Sequence, residues 1–256
     1  MAGKLDKTPP LLRAFALLER IARADGPLSL REAAQASGLP KPTVYRMLAM
    51  LESAALVVRE SEGRRLAPGP RLTRIGLDAL LNASARAPRH AILKTLAESV
   101  GETVNLTMLD GSEVVYLDRV ETAWPLRMSL QPGSRVPLHC TASGKLLLAS
   151  LAAARRKRLV AALPLDRYTD RTLVDARRLE AELVRIRRDG FATDNEEYLA
   201  GLVCVAVPVT LPRGRTAACV AVHAPVARMS LRAATSHLPA LRHAAAKLAA
   251  AFEGDG

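Results

Sequence analysis

Between Lys41 and Leu51 the residues Val44, Met47, Leu48 and Leu51 recur at the three- and four-residue spacing of one helix face, which turns Pro42, Thr43, Tyr45, Arg46, Ala49 and Met50 to the other side. That outer face carries a cation, a hydroxyl and a phenol beside compact groups, the mixture that bonds base edges in a major groove. Lys41 stands at the start of the same helix, and Arg64 and Arg65 flank a glycine-containing hairpin, positions that suit phosphates or a minor groove. A second segment with chemistry in it is Thr141-Ala142-Ser143-Gly144-Lys145, read as a helix start, where free backbone N–H groups and the helix dipole favour a carboxylate or phosphate. The same residues also fit an ordinary cap by Thr141 or Ser143. They are not a P-loop, because no glycine stands five residues before Gly144. Asp194, Glu196 and Glu197 lack the alternating oxygens and central glycine of a calcium loop and read as a solvated turn before a strand. His139 and Cys140 are adjacent, so their side chains diverge, and no orienting acid is evident for thiolate chemistry.

The elements that must carry these residues follow from periodicity and punctuation. Leu11, Leu12, Phe15, Leu18 and Ile21 make the stripe of a first helix, ended by Asp25-Gly26-Pro27. Ser29 and Glu32 form a capping box for a short second helix that stops at Gly38. Pro42 opens the third helix, and Leu56 to Arg59 with Arg65 to Ala67 make a hairpin. Three helices followed by a hairpin make a winged helix-turn-helix over residues 1–70. A helical pattern from Leu72 to Leu81, with Asn82 to Pro88 as its end, predicts a linker helix over 71–82 and a second domain over 83–256. In that domain strands are expected at Val104 to Met108, Glu113 to Val120, Leu126 to Leu130, Phe191 to Thr193, Val203 to Val209 and Ala217 to His223, with turns at Asp110-Gly111 and Gln131-Pro132-Gly133. Helices are expected from about Thr141, from Arg155, from a Thr172–Asp175 capping box to Gly190, and from Ser236 to Phe252. The fold class is α+β.

The bulk properties agree with a polyanion-binding protein. The 256 residues carry a formal charge of +12, and basic surfaces gain affinity for nucleic acid by releasing condensed counterions. Cys140, Cys204 and Cys219 are odd in number and widely spaced, which fits free thiols in a reducing compartment. The longest uncharged apolar stretch, Tyr198 to Pro212, is broken by Gly and Pro and falls short of the roughly 18 residues of a membrane span. The N-terminus has no signal-peptide core. The chain therefore reads as cytoplasmic, with no membrane partner and no cofactor.

Three segments carry a resemblance to the IclR-type family of bacterial transcriptional regulators: SLREAAQASGLPKPTVYRMLAMLESAALV from Ser29, PLHCTASGKLLLASL from Pro137, and GFATDNEEYLAGLVCVAVPV from Gly190. The last departs from the family pattern at Thr210-Leu211. The resemblance implies a winged helix that binds double-stranded operator DNA, a linker helix, and a GAF-like α/β domain that holds a small-molecule effector and pairs subunits into a homodimer or a dimer of dimers. It further implies a pocket wall of Met128, Val136, Ala142, Ser143, Asp194, Cys204, Ala221 and His223. Members that bind small carboxylates tend to carry hydroxyls at the last two positions; Ala221 cannot donate a hydrogen bond, and His223 is larger, so the effector is expected to differ from simple two- and three-carbon acids. The expected effector is a small anion, a carboxylate, held by Ser143 and a protonated His223 beside Asp194; a buried, satisfied core histidine is the equal alternative for His223. A repressor or activator is the expected function, not an enzyme. The alternatives are an enzyme carrying a DNA-binding head, and an architectural DNA binder that needs no effector.

Overall fold

The computed structural model describes residues 8–24, 26–60, 65–122, 130–212 and 214–253. The chain divides into two compact units, Met1–Ala79 and Leu80–Gly256.

The first unit contains α1 (Pro10–Arg23), α2 (Leu30–Ser37), α3 (Lys41–Ser53), β1 (Val57–Arg59), β2 (Leu66–Pro68) and most of α4 (Pro70–Leu81). The predicted capping box at α2 is present: the Ser29 hydroxyl accepts from Glu32 N–H, and the Glu32 carboxylate accepts from Ser29 N–H. Such a cap is worth about 1 kcal/mol. Gly38 then takes φ 65°, a left-handed conformation that glycine adopts without penalty, and closes α2 so that α3 can start three residues later. Leu17, Ile21, Val44, Leu48, Val57 and Leu66 close the small core. Strands β1 and β2 pair antiparallel, and Leu28 bridges to Leu66 to fix the hairpin against the α1–α2 connection.

The second unit is built on a six-stranded antiparallel sheet in the order β5-β4-β3-β8-β7-β6. The strands are β3 (Thr103–Asp110), β4 (Glu113–Val120), β5 (Arg135–Pro137), β6 (Ala192–Asn195), β7 (Leu202–Thr210) and β8 (Thr216–Pro225). Helix α6 (Ala142–Ser150) packs on β3, β6, β7 and β8, and α8 (Ala176–Asp189) packs outside it. Their core takes in Cys204, Ala206, Cys219 and Ala221, alternate residues of β7 and β8. Helices α5 (Ala83–Val100) and α10 (Leu238–Glu253) pack on each other, α5 on β3 and β4, α10 on β7 and β8. Two shorter helices, α7 (Ala153–Ala162) and α9 (Leu231–Ser236), complete the unit.

Two expectations need correction, one falls outside the described residues, and one strand is new. Asn82 to Pro88 is not the tail of a linker helix but the start of α5, whose N-cap is Asn82, its Oδ1 accepting from Ser84 N–H at 3.0 Å. Pro88 lies inside α5, beyond the first turn, where it forfeits the bond to the Ser84 carbonyl. Thr172 does not form a capping box with Asp175. Asp175 caps α8 by itself through Arg178 N–H, while the Thr172 hydroxyl accepts from Tyr168 and Thr169 N–H and donates to the Glu197 carbonyl. The strand expected at Leu126 to Leu130 lies almost wholly outside the described residues, and Leu130 itself is not in a strand. The strand after the Gly133 turn, β5, pairs with β4 and was not expected.

Candidate DNA-binding face and effector cavity

Helix α3 presents the face that its sequence predicts. Val44, Met47, Leu48 and Leu51 are buried, and Lys41, Pro42, Tyr45, Arg46, Ala49 and Met50 are exposed, with Thr43 half-buried. Tyr45 is 59% exposed and Met50 61%, so the aromatic and apolar groups of this face are open to a partner. Arg64 lies outside the described residues. Arg65 is described, and its guanidinium is not left to solvent: Nη2 donates to Glu32 at 3.0 Å, tying the hairpin to the α2 cap. Bonds from Ser29 and then Arg65 hold the Glu32 carboxyl down to about 2.

In the second unit a cavity lies at the N-terminus of α6. Thr141, Ala142 and Ser143 form its roof, and Asn105 of β3, Tyr116 of β4, Cys204 of β7 and His223 of β8 line it from the sheet. Val136, Asp194, Tyr198 and Leu202 complete the wall. Thr141 caps α6, its hydroxyl accepting from Gly144 N–H at 3.1 Å and its carbonyl from Lys145 N–H. The cap therefore meets only part of the donor surplus of the first turn. The free volume is about 20 Å³, room for a water or two, so a larger occupant requires the wall to move.

Gly144 is why α6 can sit so low. A Cβ there would lie 2.5 Å from Leu138 Cα and 2.7 Å from Leu138 C, and would collide with the Leu138 carbonyl oxygen. Gly144→Ala is expected to cost about 1–3 kcal/mol, read as an earlier urea midpoint, because backbone and not a side chain must move; an unchanged midpoint would contradict the packing described.

Of the expected pocket residues, Val136, Ala142, Ser143, Asp194, Cys204 and His223 line this cavity. Ala221 is fully buried in the sheet, in register with Asn105, and Met128 lies outside the described residues. Thr141 belongs to the helix start read above as an anion site, whereas Asn105, Tyr116, Tyr198 and Leu202 were not anticipated. One reason is a bulge: Leu106 pairs with Asp118 but Thr107 with Tyr116, so Leu117 is the extra residue. The bulge brings Tyr116 and Arg119, three apart, onto one face, against the simple alternation of a strand. The signal that was available is Asn105, a lone amide in an otherwise apolar run.

The electrostatics overturn two expectations. The acidic run is not a solvated turn: Asp194 and Glu197 are buried. The Asp194 carboxylate accepts from Glu197 N–H at 2.7 Å, and Glu197 is paired with the fully buried Lys145. Burial pushes the Asp194 carboxyl up to about 7. His223 is not protonated; burial, aided by the Arg119 charge, lowers it to about 3. The cation at this end of the cavity is Arg119, whose Nη1 donates to Asn105 Oδ1 at 3.2 Å.

Comparison with known proteins places these features in context. Residues 10–61 match the family described as IclR helix-turn-helix domain, and residues 78–250 match Bacterial transcriptional regulator IclR C-terminal. The chain is 51% identical to the probable transcriptional regulator SauR of Cupriavidus necator over 94% of its own length and 96% of that protein's. It is 33% identical to the transcriptional repressor IclR of Escherichia coli over 86% of this chain and 81% of that one. Among solved structures, Thermotoga maritima IclR superposes with a TM-score of 0.62 at 30% identity, covering 93% of this chain and 96% of that one.

Proposed function

The chain belongs to the IclR family of bacterial transcriptional regulators, and we propose that α3 is its recognition helix and the cavity under α6 its effector site, occupied by a small anion. The observation that carries the first half is the exposed face of α3, with Thr43, Tyr45 and Arg46 set opposite a stripe buried to the last residue. Pro42 belongs to the same face, Lys41 faces the phosphates, and Arg64 and Arg65 belong to the hairpin that flanks it; Arg65 reaches DNA only by sharing its guanidinium with Glu32.

For the second half, the supporting features are the donor-rich start of α6 and the polar side chains that converge on an otherwise apolar cavity. A carboxylate suits those donors. Val136, Ala142, Ser143, Asp194, Cys204 and His223 then contact the effector, with Met128 and Ala221 kept as contacts inferred from family resemblance. We assign no catalysis: burial raises the Cys140 thiol well above its ordinary range, and His139 Nε2 is engaged by the Asp166 carbonyl at 2.9 Å. Among the described residues no helix is long and apolar enough to cross a membrane.

Pairing of subunits is supported by Leu11, Leu12 and Phe15, which leave α1 with an apolar face more than half exposed; such a face is covered economically by a second copy in a homodimer or a dimer of dimers.

The experiment is a binding titration with a duplex selected from a random-sequence pool by the full-length protein. Arg46→Ala is expected to weaken binding to that duplex by about 1–3 kcal/mol, the worth of one good base contact, while affinity for an unrelated duplex changes little. Equal loss on both duplexes would make Arg46 a phosphate contact, and no loss on either would remove α3 from the interface.

A further inference from the structure

The polar end of the cavity holds more hydrogen-bond donors than it can satisfy. Asn105, Arg119 and His223 are all buried. Arg119 Nη1 donates to Asn105 Oδ1 at 3.2 Å, which turns the Asn105 amide nitrogen toward His223 Nδ1, 2.8 Å away. A guanidinium never accepts; with Asn105 Oδ1 taken by Arg119, the Asn105 amide donates to Nδ1 and the proton of the neutral ring sits on Nε2. That nitrogen lies 3.3 Å from Arg119 Nη2, a donor facing a donor. Turning the amide over only moves the conflict to the Arg119–Asn105 contact. Glu121 accepts from Arg119 Nε at 2.9 Å and offsets its charge, and in this arrangement no acceptor faces Nε2–H among the described residues.

The opposite end of the same cavity has the reverse character. His223 pairs with Cys204, and Cys204 with Asp194, on three successive strands. With strands about 4.8 Å apart, the Asp194 and His223 Cα atoms are about 10 Å from each other. Both side chains project from the same face of the sheet, so a hydrogen bond of about 2.8 Å at each end leaves roughly 4–5 Å between the two functional groups of an occupant.

We propose that the effector is a short bifunctional acid, with an anionic oxygen against His223 and Asn105 and, two or three carbons away, a hydroxyl or ammonium group that donates to Asp194. Arg119 is the positioning residue: it fixes the His223 tautomer and sets a positive charge behind it. This rests on the reading of the cavity as the effector site.

The test is calorimetric titration of the full-length protein with four three-carbon probes: propionate, 3-hydroxypropionate, 3-aminopropanoate and 3-aminopropan-1-ol. A substituted acid is expected to bind about tenfold or more tightly than propionate, and the amino alcohol is expected not to bind. Asp194→Asn removes the preference for the substituted acid. Arg119→Gln weakens every acid about tenfold or more while keeping their order, and Arg119→Lys, which retains the charge, restores most of the affinity. Nitrogen NMR of His223 provides a readout independent of folding yield: a neutral ring protonated on Nε2 at pH 6 in the unliganded protein. Equal affinity for propionate and both substituted acids, or a His223 protonated on Nδ1, overturns the proposal but leaves the site in place. Failure of every acid to bind overturns the effector-site reading and the proposal with it.

Discussion

Replacing Lys145 by Met is expected to destabilise the protein by about 3–5 kcal/mol, the cost of stranding one member of a buried ion pair. Lys145 is 1% exposed on α6, and its Nζ donates to Glu197 Oε1 on the segment between β6 and β7. The second Glu197 oxygen is buried with no hydrogen-bond partner among the described residues. Burial already outweighs the attraction of Lys145 and holds the Glu197 carboxyl above its ordinary value, so removing the cation leaves a group that water cannot reach. The double variant Lys145→Met with Glu197→Met is expected to recover most of the loss, because two apolar side chains of similar size replace the pair. Urea denaturation of the single and double variants measures both; a loss below about 1 kcal/mol in the single variant, the range of exposed pairs, would show that the pair is hydrated in solution.

The second large effect is expected from Asp194→Asn, and it is a gain. In the folded chain the carboxyl titrates near 7, and in the unfolded chain near its ordinary 3.8. Between those values the unfolded state binds fewer protons, so stability falls as pH rises through this window. A displacement of this size corresponds to on the order of 4 kcal/mol at pH 8. Asn keeps an oxygen for the Glu197 N–H and has nothing to ionise, so the variant should be more stable than wild type at pH 8, with the difference closing as pH falls toward 4. His223 works in the other direction: neutral when folded down to about 3, it removes stability as pH drops below its ordinary 6.5. Unfolding curves for both proteins at pH 5 and pH 8 decide the matter; a difference independent of pH would mean that Asp194 is ionised throughout. A carboxylate that costs stability in this way fits the proposed ligand role of Asp194, a common trade at binding sites.

These two sites also mark where sequence reasoning stopped. Ser29, Glu32, Gly38 and the α3 stripe were legible because every partner lies within four residues. The cap at Thr141 was legible for the same reason. Lys145 and Glu197 are 52 residues apart, and His223 meets Asn105 across more than a hundred residues, so no local pattern announces either. The bulge at Leu117 breaks the period of two on which face assignments depend. Thr172 misled because its spacing to Asp175 imitates a capping box, whereas its hydroxyl is used by the backbone of the neighbouring turn. The segments that carry the family resemblance reached most of the cavity wall where local patterns could not.

The central claim is that one ligand site and one DNA site are linked. Linkage is reciprocal: if a ligand changes affinity for DNA by some factor, DNA changes affinity for the ligand by the same factor. The decisive measurement is therefore the dissociation constant of the selected duplex from the full-length protein, with and without a saturating amount of the tightest-binding small acid, paired with the affinity of that acid for the free and the DNA-bound protein. The account predicts a change of about 5- to 150-fold in the first ratio, equal in the second, and absent when Asp194→Asn and Arg119→Gln are combined to abolish acid binding. Equal DNA affinity with the site empty and filled would contradict it.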